Sequence, residues 1–258
     1  FRKEVEKITQ IRKPISVPEN FSSWSEYITP GELPKLSDFG LDEPIDDPRA
    51  DLRFVGGETE GLKRLHYYFW KSDRIKNYDE TRNELSGADF STKFSPWLAQ
   101  GCLSPKLVYD ELKRFKAERG ANKSTYQLYL ELLWRDYFRL IGKKYGAKIF
   151  RKEGIFGKNL KASEDMDLFY NWIEGRTGQP FIDANMKELK LTGYLSNRGR
   201  HIVASFLIND LKLNWQLGAE YFESQLIDYD PTSNWVNCMN IAGLGTETKE
   251  NLNPLNQS

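Results

Sequence analysis

The chain is poor in the residues that most often announce a chemistry. It holds two cysteines, two histidines and three methionines in 258 residues. Cys102 and Cys238 lie far apart. They provide neither a disulfide framework nor the close spacing of a metal site, and they read as packing residues in a reducing compartment. Net charge is also lacking, since 37 Lys and Arg balance 37 Asp and Glu. A strong global field is therefore excluded, although a local basic stripe that binds phosphates is not. No apolar run approaches the roughly 20 residues that a bilayer span needs, so no contact with a membrane is expected. Strand-like alternation and internal repeats are missing as well. No signal-peptide pattern follows Phe1, and the last residues, Asn-Leu-Asn-Pro-Leu-Asn-Gln-Ser, are polar. Both ends read as boundaries cut through a longer protein.

What is present is aromatic. Phe, Trp and Tyr make up 14% of the chain, with seven tryptophans. Such side chains bury much area and stack on flat rings, so they suit a core, a cofactor pocket, or both. The length allows one large core or two modest ones.

Residues 1–12 read as the end of a basic helix. From residue 13 to about 57 the chain is rich in Pro, Asp, Glu and Ser, with Pro14, Pro18, Pro30, Pro34, Pro44 and Pro48. Residues 1–56 are expected to be a remnant helix and an irregular interdomain linker, and residues 57–258 a helical domain. Leu62, Leu65, Tyr68 and Phe69 recur at helical spacing. So do Leu107, Tyr109, Leu112 and Phe115, after Ser104 and Pro105, which suit a cap and a first turn. Ser124 is expected to cap a long helix over 124–145. Further helices are expected over 165–174, 180–191, 198–211 and 215–226, with Gly146, Gly193 and Gly218 as punctuation. The fold class is all-α.

Four segments carry polar groups suited to chemistry. Ser91, Thr92, Lys93, Phe94 and Ser95 put three hydroxyls and an ammonium just ahead of a helix, which suits a phosphate group or an ordinary helix cap. Glu131, Trp134 and Arg135 are three and four apart on one helix. They suit a nucleobase and its phosphate, or a surface ion pair beside a core indole. Asn197, Arg198, Arg200 and His201 open an apolar helix, and the arginines suit phosphates or carboxylates. His201 and His66 read as structural hydrogen-bonders. Asp228 and Asp230 lie in a turn with Asn234. No histidine or third carboxylate joins them, so no metal is expected.

Taken in order, these segments resemble the photolyase/cryptochrome family from about Gly57 to Thr246. The resemblance is carried by Gly87 to Pro105, Glu131 to Phe138, Glu174 to Met186, Asn197 to Arg200 with Val203 to Leu207, and Asp228 to Pro231. The wording Asp-Ala-Asn-Met, Asn-Arg-Gly-Arg and Asp-Tyr-Asp-Pro is similar to the cryptochrome DASH branch in particular. The resemblance implies a helical domain that holds FAD in a folded shape. Tyr78 and Ser91 to Ser95 would touch its diphosphate and ribityl chain. Asp228 and Asp230 would line the flavin and its sugar, with Arg200 near the ring edge and Asn234 beside the reactive ring nitrogen. Arg135 and Asn197 also fall on the cofactor side. Glu131 and Trp134 match positions that bind a flipped pyrimidine dimer in DNA, and Arg82, Arg135 and Arg198 match basic positions near the DNA backbone or the flavin phosphates, with Arg82 and Arg198 taken as DNA-binding. The implied reaction is that of a deoxyribodipyrimidine photo-lyase, a carbon–carbon lyase. Blue light drives an electron from reduced FAD into a cyclobutane dimer in single-stranded or looped DNA, and a dimer is easily flipped because it stacks poorly. The implied protein is an intracellular monomer, in the cytoplasm if bacterial and in the nucleus or an organelle if eukaryotic. An antenna folate, methenyltetrahydrofolate, would belong to an N-terminal α/β domain outside this chain, and the family's final helices would also lie outside it.

The chain departs from the family where an electron relay is implied. Of three tryptophan positions only the middle one, Trp215, is kept; the others fall on Cys238 and Ala162. Asn240 stands where a DASH protein has a tyrosine facing the lesion. These changes favour a second reading, a flavin photoreceptor or nucleic-acid-binding regulator without repair. A third reading is a degenerate fragment that has neither activity.

Overall fold

The computed structural model describes residues 1–8, 10–16, 18–20, 27 and 31–246. Pro30 and the polar C-terminal run therefore lie outside the described residues. Eleven α-helices occur among the described residues: α1 (Arg2–Ile8), α2 (Glu58–His66), α3 (Tyr78–Thr81), α4 (Ser95–Ala99), α5 (Pro105–Arg119), α6 (Lys123–Tyr145), α7 (Met166–Ile173), α8 (Pro180–Thr192), α9 (Asn197–Ser205), α10 (Trp215–Gln225) and α11 (Pro231–Ile241). Widened π turns extend α2 through Tyr67–Lys71 and α9 through Phe206–Asp210. Among the described residues there is no strand, only one bridge between Ser163 and Leu213. The all-α expectation holds.

Local chemistry explains the helix starts. Ser104 accepts from Lys106 N at 3.3 Å while Pro105 occupies the first turn of α5, where its missing N–H costs nothing. α6 begins at Asn122 rather than Ser124. Asn122 accepts from Thr125 N at 2.9 Å, and Thr125 Oγ1 accepts from Asn122 N at 3.0 Å, a reciprocal cap. Ser124 is buried in the first turn and accepts from Asp79 N at 3.0 Å, which ties α3 to α6. Gly146 and Gly193 end α6 and α8 with φ of 53° and 67°. Gly218 breaks nothing. It lies buried inside α10, where a Cβ would meet Leu207 at an ordinary 3.5 Å, so neither a turn nor a close approach requires glycine there.

Two apolar clusters form the body. One joins α2, α4 and α5 with Leu128 of α6 and contains Tyr68, Phe69, Phe94 and Phe115. The other joins α7 to α11 with Phe138 and Ile141 of α6 and contains Trp172, Trp215 and Trp235. At about 1.5 Å per residue, α6 is roughly 35 Å long. It thus serves both clusters, and its middle, around Glu131 and Arg135, lies at the seam between them. α11, a helix the motif spacing did not reveal, packs on α6 where Gly142 meets Thr232; a Cβ on Gly142 would fall 2.4 Å from the Thr232 methyl. The polar segment ahead of residue 57 reaches into the body: Leu52 and Phe54 pack on the first cluster, and Val55 O accepts from Trp97 Nε1 at 2.9 Å.

Candidate functional site

A cleft of about 460 Å³, including its open mouth, lies between α9, α10 and α11. Asn197, Arg200 and His201 of α9 face it, with Asp228, Tyr229 and Asp230 before α11 and Asn234, Asn237 and Cys238 on α11. Two of the four sequence segments meet here, because the turn of Asp228 to Asp230 feeds directly into α11, which lies beside α9.

The wall is strongly polar yet buried. Arg200 donates to Asp228 Oδ2 at 2.8 Å and to Leu195 O at 2.8 Å. The Asp228 side chain is 2% exposed, so the pair is well shielded. Its second oxygen, Oδ1, is buried with no partner. Asp230 caps α11, accepting from Ser233 N at 2.9 Å and from Thr232 Oγ1 at 2.8 Å. Burial would raise its pKa, but these hydrogen bonds hold the carboxyl below its ordinary value. The Asn234 amide donates to Ala219 O at 2.9 Å, which fixes its orientation. Burial pushes the Cys238 thiol up to about 12, so it stays protonated. His201 makes no hydrogen bond among the described residues, contrary to the structural role expected for it. Burial, with Arg198 and Arg200 nearby, lowers it to about 4. His66 is exposed on α2 and is no structural anchor either.

The Ser91–Ser95 turn does not line this cleft. Its shape comes from Arg64, which sequence reasoning passed over. That guanidinium, 7% exposed, donates to Ala88 O, Ser91 O and Thr92 O and pairs with Asp89 at 2.9 Å. A signal was available: Arg64 sits on the apolar stripe of Gly61, Leu65 and Tyr68, where a charge must find buried partners. Phe94 packs with Tyr68 and Phe69. Lys93 adopts the left-handed backbone region, φ 52°. Its buried ammonium meets Asp51 at 3.3 Å and lies over the Phe90 and Tyr194 rings. Burial lowers its pKa, and Asp51 opposes that shift. The hydroxyls of Ser91 and Ser95 bond to the Tyr194 phenol, which burial pushes up to about 12. Tyr194 also lies 5.5 Å from the Arg200 guanidinium. It therefore links the hydroxyl turn to the cleft wall.

α6 carries the remaining predicted residues of the second segment. Glu131 accepts from Arg82 Nη1 at 3.2 Å and from Gln127 at 2.8 Å, next to buried Tyr78 of α3. Arg135 donates to Leu98 O at 3.3 Å, and burial lowers its pKa. Trp134 packs with Tyr137 and Phe138 at ring distances of 5.4 and 5.7 Å, is 42% exposed, and lines a groove with Phe1 and Arg2 of α1. On the continuous helix Trp134 lies about 60° round from Glu131 and about 100° from Arg135, so the indole sits at the exposed edge of the face that the three residues share. Arg82 Nε and Arg135 Nη1 are buried without partners. Trp215 is buried under Trp235, ring centroids 5.7 Å apart. Ala162 is half-buried in the loop before α7. Asn240 does not face an open surface. It is 1% exposed, with both amide atoms unpaired against Gly245.

The donor set is complementary to one ligand class. Unpaired guanidinium donors suit an anionic diphosphate, and an unpaired carboxylate oxygen suits a ring N–H or a sugar hydroxyl. The comparisons agree with that chemistry. Residues 128–258 match the family model described as the FAD binding domain of DNA photolyase. The chain is 50% identical over 251 residues to cryptochrome DASH of Danio rerio, covering 97% of this chain and 48% of the relative. It is 48% identical over 249 residues to cryptochrome DASH of Gloeobacter violaceus, covering 96% and 50%. A solved cryptochrome from Synechocystis superposes with a TM-score of 0.91 at 48% identity, over 96% of this chain and 51% of that one. A class III photolyase from Agrobacterium tumefaciens does so with 0.74 at 29% identity, over 87% and 47%. The chain spans about half the length of the curated relatives it matches.

Proposed function

The chain belongs to the photolyase/cryptochrome family, and from that premise we propose that it acts as a light-driven repair flavoprotein of the cryptochrome DASH type. Its substrate in this reading is a cyclobutane pyrimidine dimer in single-stranded or looped DNA, and its class is deoxyribodipyrimidine photo-lyase. The cofactor of the family is FAD. The observation that carries the reading is the set of buried polar atoms without protein partners: Asp228 Oδ1, Arg82 Nε and Arg135 Nη1. Each costs about 1–3 kcal/mol while unpaired, a cost that a bound diphosphate and flavin ring would remove.

FAD, when bound, supplies a light-absorbing one-electron donor and acceptor. The protein's own groups do the rest. Arg135 and Arg82 present N–H donors to the diphosphate, and the hydroxyls of Ser91 and Ser95 stand ready beside Tyr194. Asp228, held by Arg200, offers its free oxygen to a ring N–H or sugar hydroxyl. Asn234, fixed by Ala219 O, keeps a neutral amide at the wall. Glu131, a carboxylate in reach of Arg82, would accept from a base edge. Trp134, exposed on α6, would stack on an unpaired base, which is sequence-tolerant binding of single strands.

A second reading has a specific observation behind it. Cys238 is a protonated thiol in the cleft wall, and Asn240 is buried away from any substrate. Both weaken repair and favour a flavin photoreceptor or nucleic-acid-binding regulator. The test supplies chemically reduced FAD, blue light and a single-stranded oligonucleotide containing one dimer. Loss of the dimer is expected. Retained dimer on a flavin-loaded protein would remove repair and leave the second reading. A protein that stays colourless after incubation with FAD would remove both.

A further inference from the structure

One cleft residue connects the cavity to solvent through a chain of redox-capable and proton-accepting groups. Tyr229 lines the cleft. Its phenol is hydrogen-bonded to Glu223 of α10. Trp235 Nε1 donates to the same phenol oxygen at 3.2 Å and to Glu223 Oε2 at 2.9 Å. The indole is 6% exposed and is held edge-on by Trp215 at 5.7 Å and Phe150 at 5.0 Å. Glu223 itself is exposed. So a residue of the cavity wall carries its phenol to an open carboxylate, with a rigid indole bonded to both.

From this arrangement we infer that Tyr229 is a one-electron donor to a light-excited oxidised flavin in the cleft, with Glu223 as acceptor of its phenolic proton. The inference rests on the reading that the cleft takes a flavin. In the step, Tyr229 loses one electron to the excited ring while its O–H bond breaks and the proton passes to Glu223. A neutral phenoxyl radical remains. An added thiol restores it: the thiolate gives one electron, the proton returns from Glu223 to the phenol oxygen, and two sulfur radicals pair as a disulfide. A phenol that can shed its proton is a better donor than a buried indole that must carry positive charge in a low-dielectric core. Burial first, then the Glu223 contact, pushes the Tyr229 phenol up to about 12, so it starts protonated. The neighbouring Cys238 thiol is likewise held up at about 12 and offers no thiolate. The route needs no aromatic ring at position 238.

The experiment uses the full chain loaded with FAD and checked for flavin absorbance, then a blue-light flash followed by transient absorption and electron paramagnetic resonance. The expected result is a phenoxyl signal in the unmodified protein that is absent in Tyr229→Phe. Glu223→Gln, on the exposed face of α10, should slow its appearance roughly a hundredfold, the lower end of what a positioned proton acceptor contributes. It should also lower the Tyr229 pKa in an ultraviolet titration, a readout that requires no light-driven turnover. Flavin-loaded protein with an indolyl signal instead, no radical at all, or equal signals in Tyr229→Phe would overturn the inference and leave the flavin reading standing. Failure to hold flavin would overturn that reading itself.

Discussion

Protonating His201 should destabilise the fold. The imidazole lies half-buried on the cleft wall, four residues after Asn197 on α9, with the Arg198 and Arg200 cations beside it. The carboxylates facing the same cleft are Asp228, already paired with Arg200, and Asp230, engaged in capping α11. Neither offsets the burial and the two cations that act on the imidazole. Burial and the two arginines hold the folded value near 4, against an unfolded value of about 6.5. Between those values the unfolded chain binds the extra proton and the folded chain does not, so stability rises with pH and is lost as pH falls. Over the full window the loss is about 3 kcal/mol, and about 2 kcal/mol has gone by roughly pH 5. Urea unfolding of the unmodified protein and of His201→Gln, at several pH values between about 7 and 5, isolates the effect. Glutamine never charges, and every other titrating group is common to both proteins. The difference in unfolding free energy should widen steadily toward acid in favour of the glutamine variant. A difference that stays flat would refute the burial of this imidazole among cations.

Three further outcomes follow from the packing. Arg64→Ala leaves Asp89 and three carbonyl oxygens without their donor; it should cost about 3–5 kcal/mol in urea unfolding and loosen retention of FAD, and a loss below about 1 kcal/mol would count against the clamp. Gly142→Ala places a methyl 2.4 Å from the Thr232 methyl. The overpacking cost of about 1–3 kcal/mol is partly offset by about 1 kcal/mol of helix propensity. Adding Thr232→Ser removes the clash and keeps the hydroxyl that bonds Asp230, so the double variant should recover stability; no recovery would show that α6 and α11 do not meet there. Trp134→Ala should weaken binding of a single-stranded oligonucleotide by about 1–3 kcal/mol in a fluorescence titration while flavin absorbance is unchanged, since the indole sits at the exposed edge of its face. An equal loss of flavin would contradict that placement.

Much of the fold was legible because helices report themselves locally. The stripe of Leu107, Leu112 and Phe115, the Ser104–Pro105 start of α5 and the glycine stops after α6 and α8 all act within a turn or two of chain. The errors arose where a local signal had more than one use. Ser124 looks like a cap but bonds across to α3, and Asn122 two residues earlier does the capping. Gly218 looks like a break but lies within an unbroken α10. α11 was hidden because Asp228 to Asn234 reads as an acidic turn, and only the capping role of Asp230 converts that turn into a helix start. In the cleft, Asp228, Asp230, Arg200 and Asn234 could be named from their order along the chain. Arg64, Tyr194 and Tyr229 could not, since each acts through partners 24 or more residues away or through a wall that several helices build together.

By itself the sequence determined the helical class, the family and the roster of polar groups, because composition, spacing and motif order are properties of the chain. Only the tertiary structure decided which of those groups face one another. It half-buried Glu131 and Arg135 while leaving Trp134 exposed, buried Asn240, stood Trp235 against Trp215, and left Asp228 Oδ1 without a partner. The reason is physical: a side chain's partners, burial and charge state depend on neighbours that approach from distant segments, and no local pattern encodes the angle at which two helices meet.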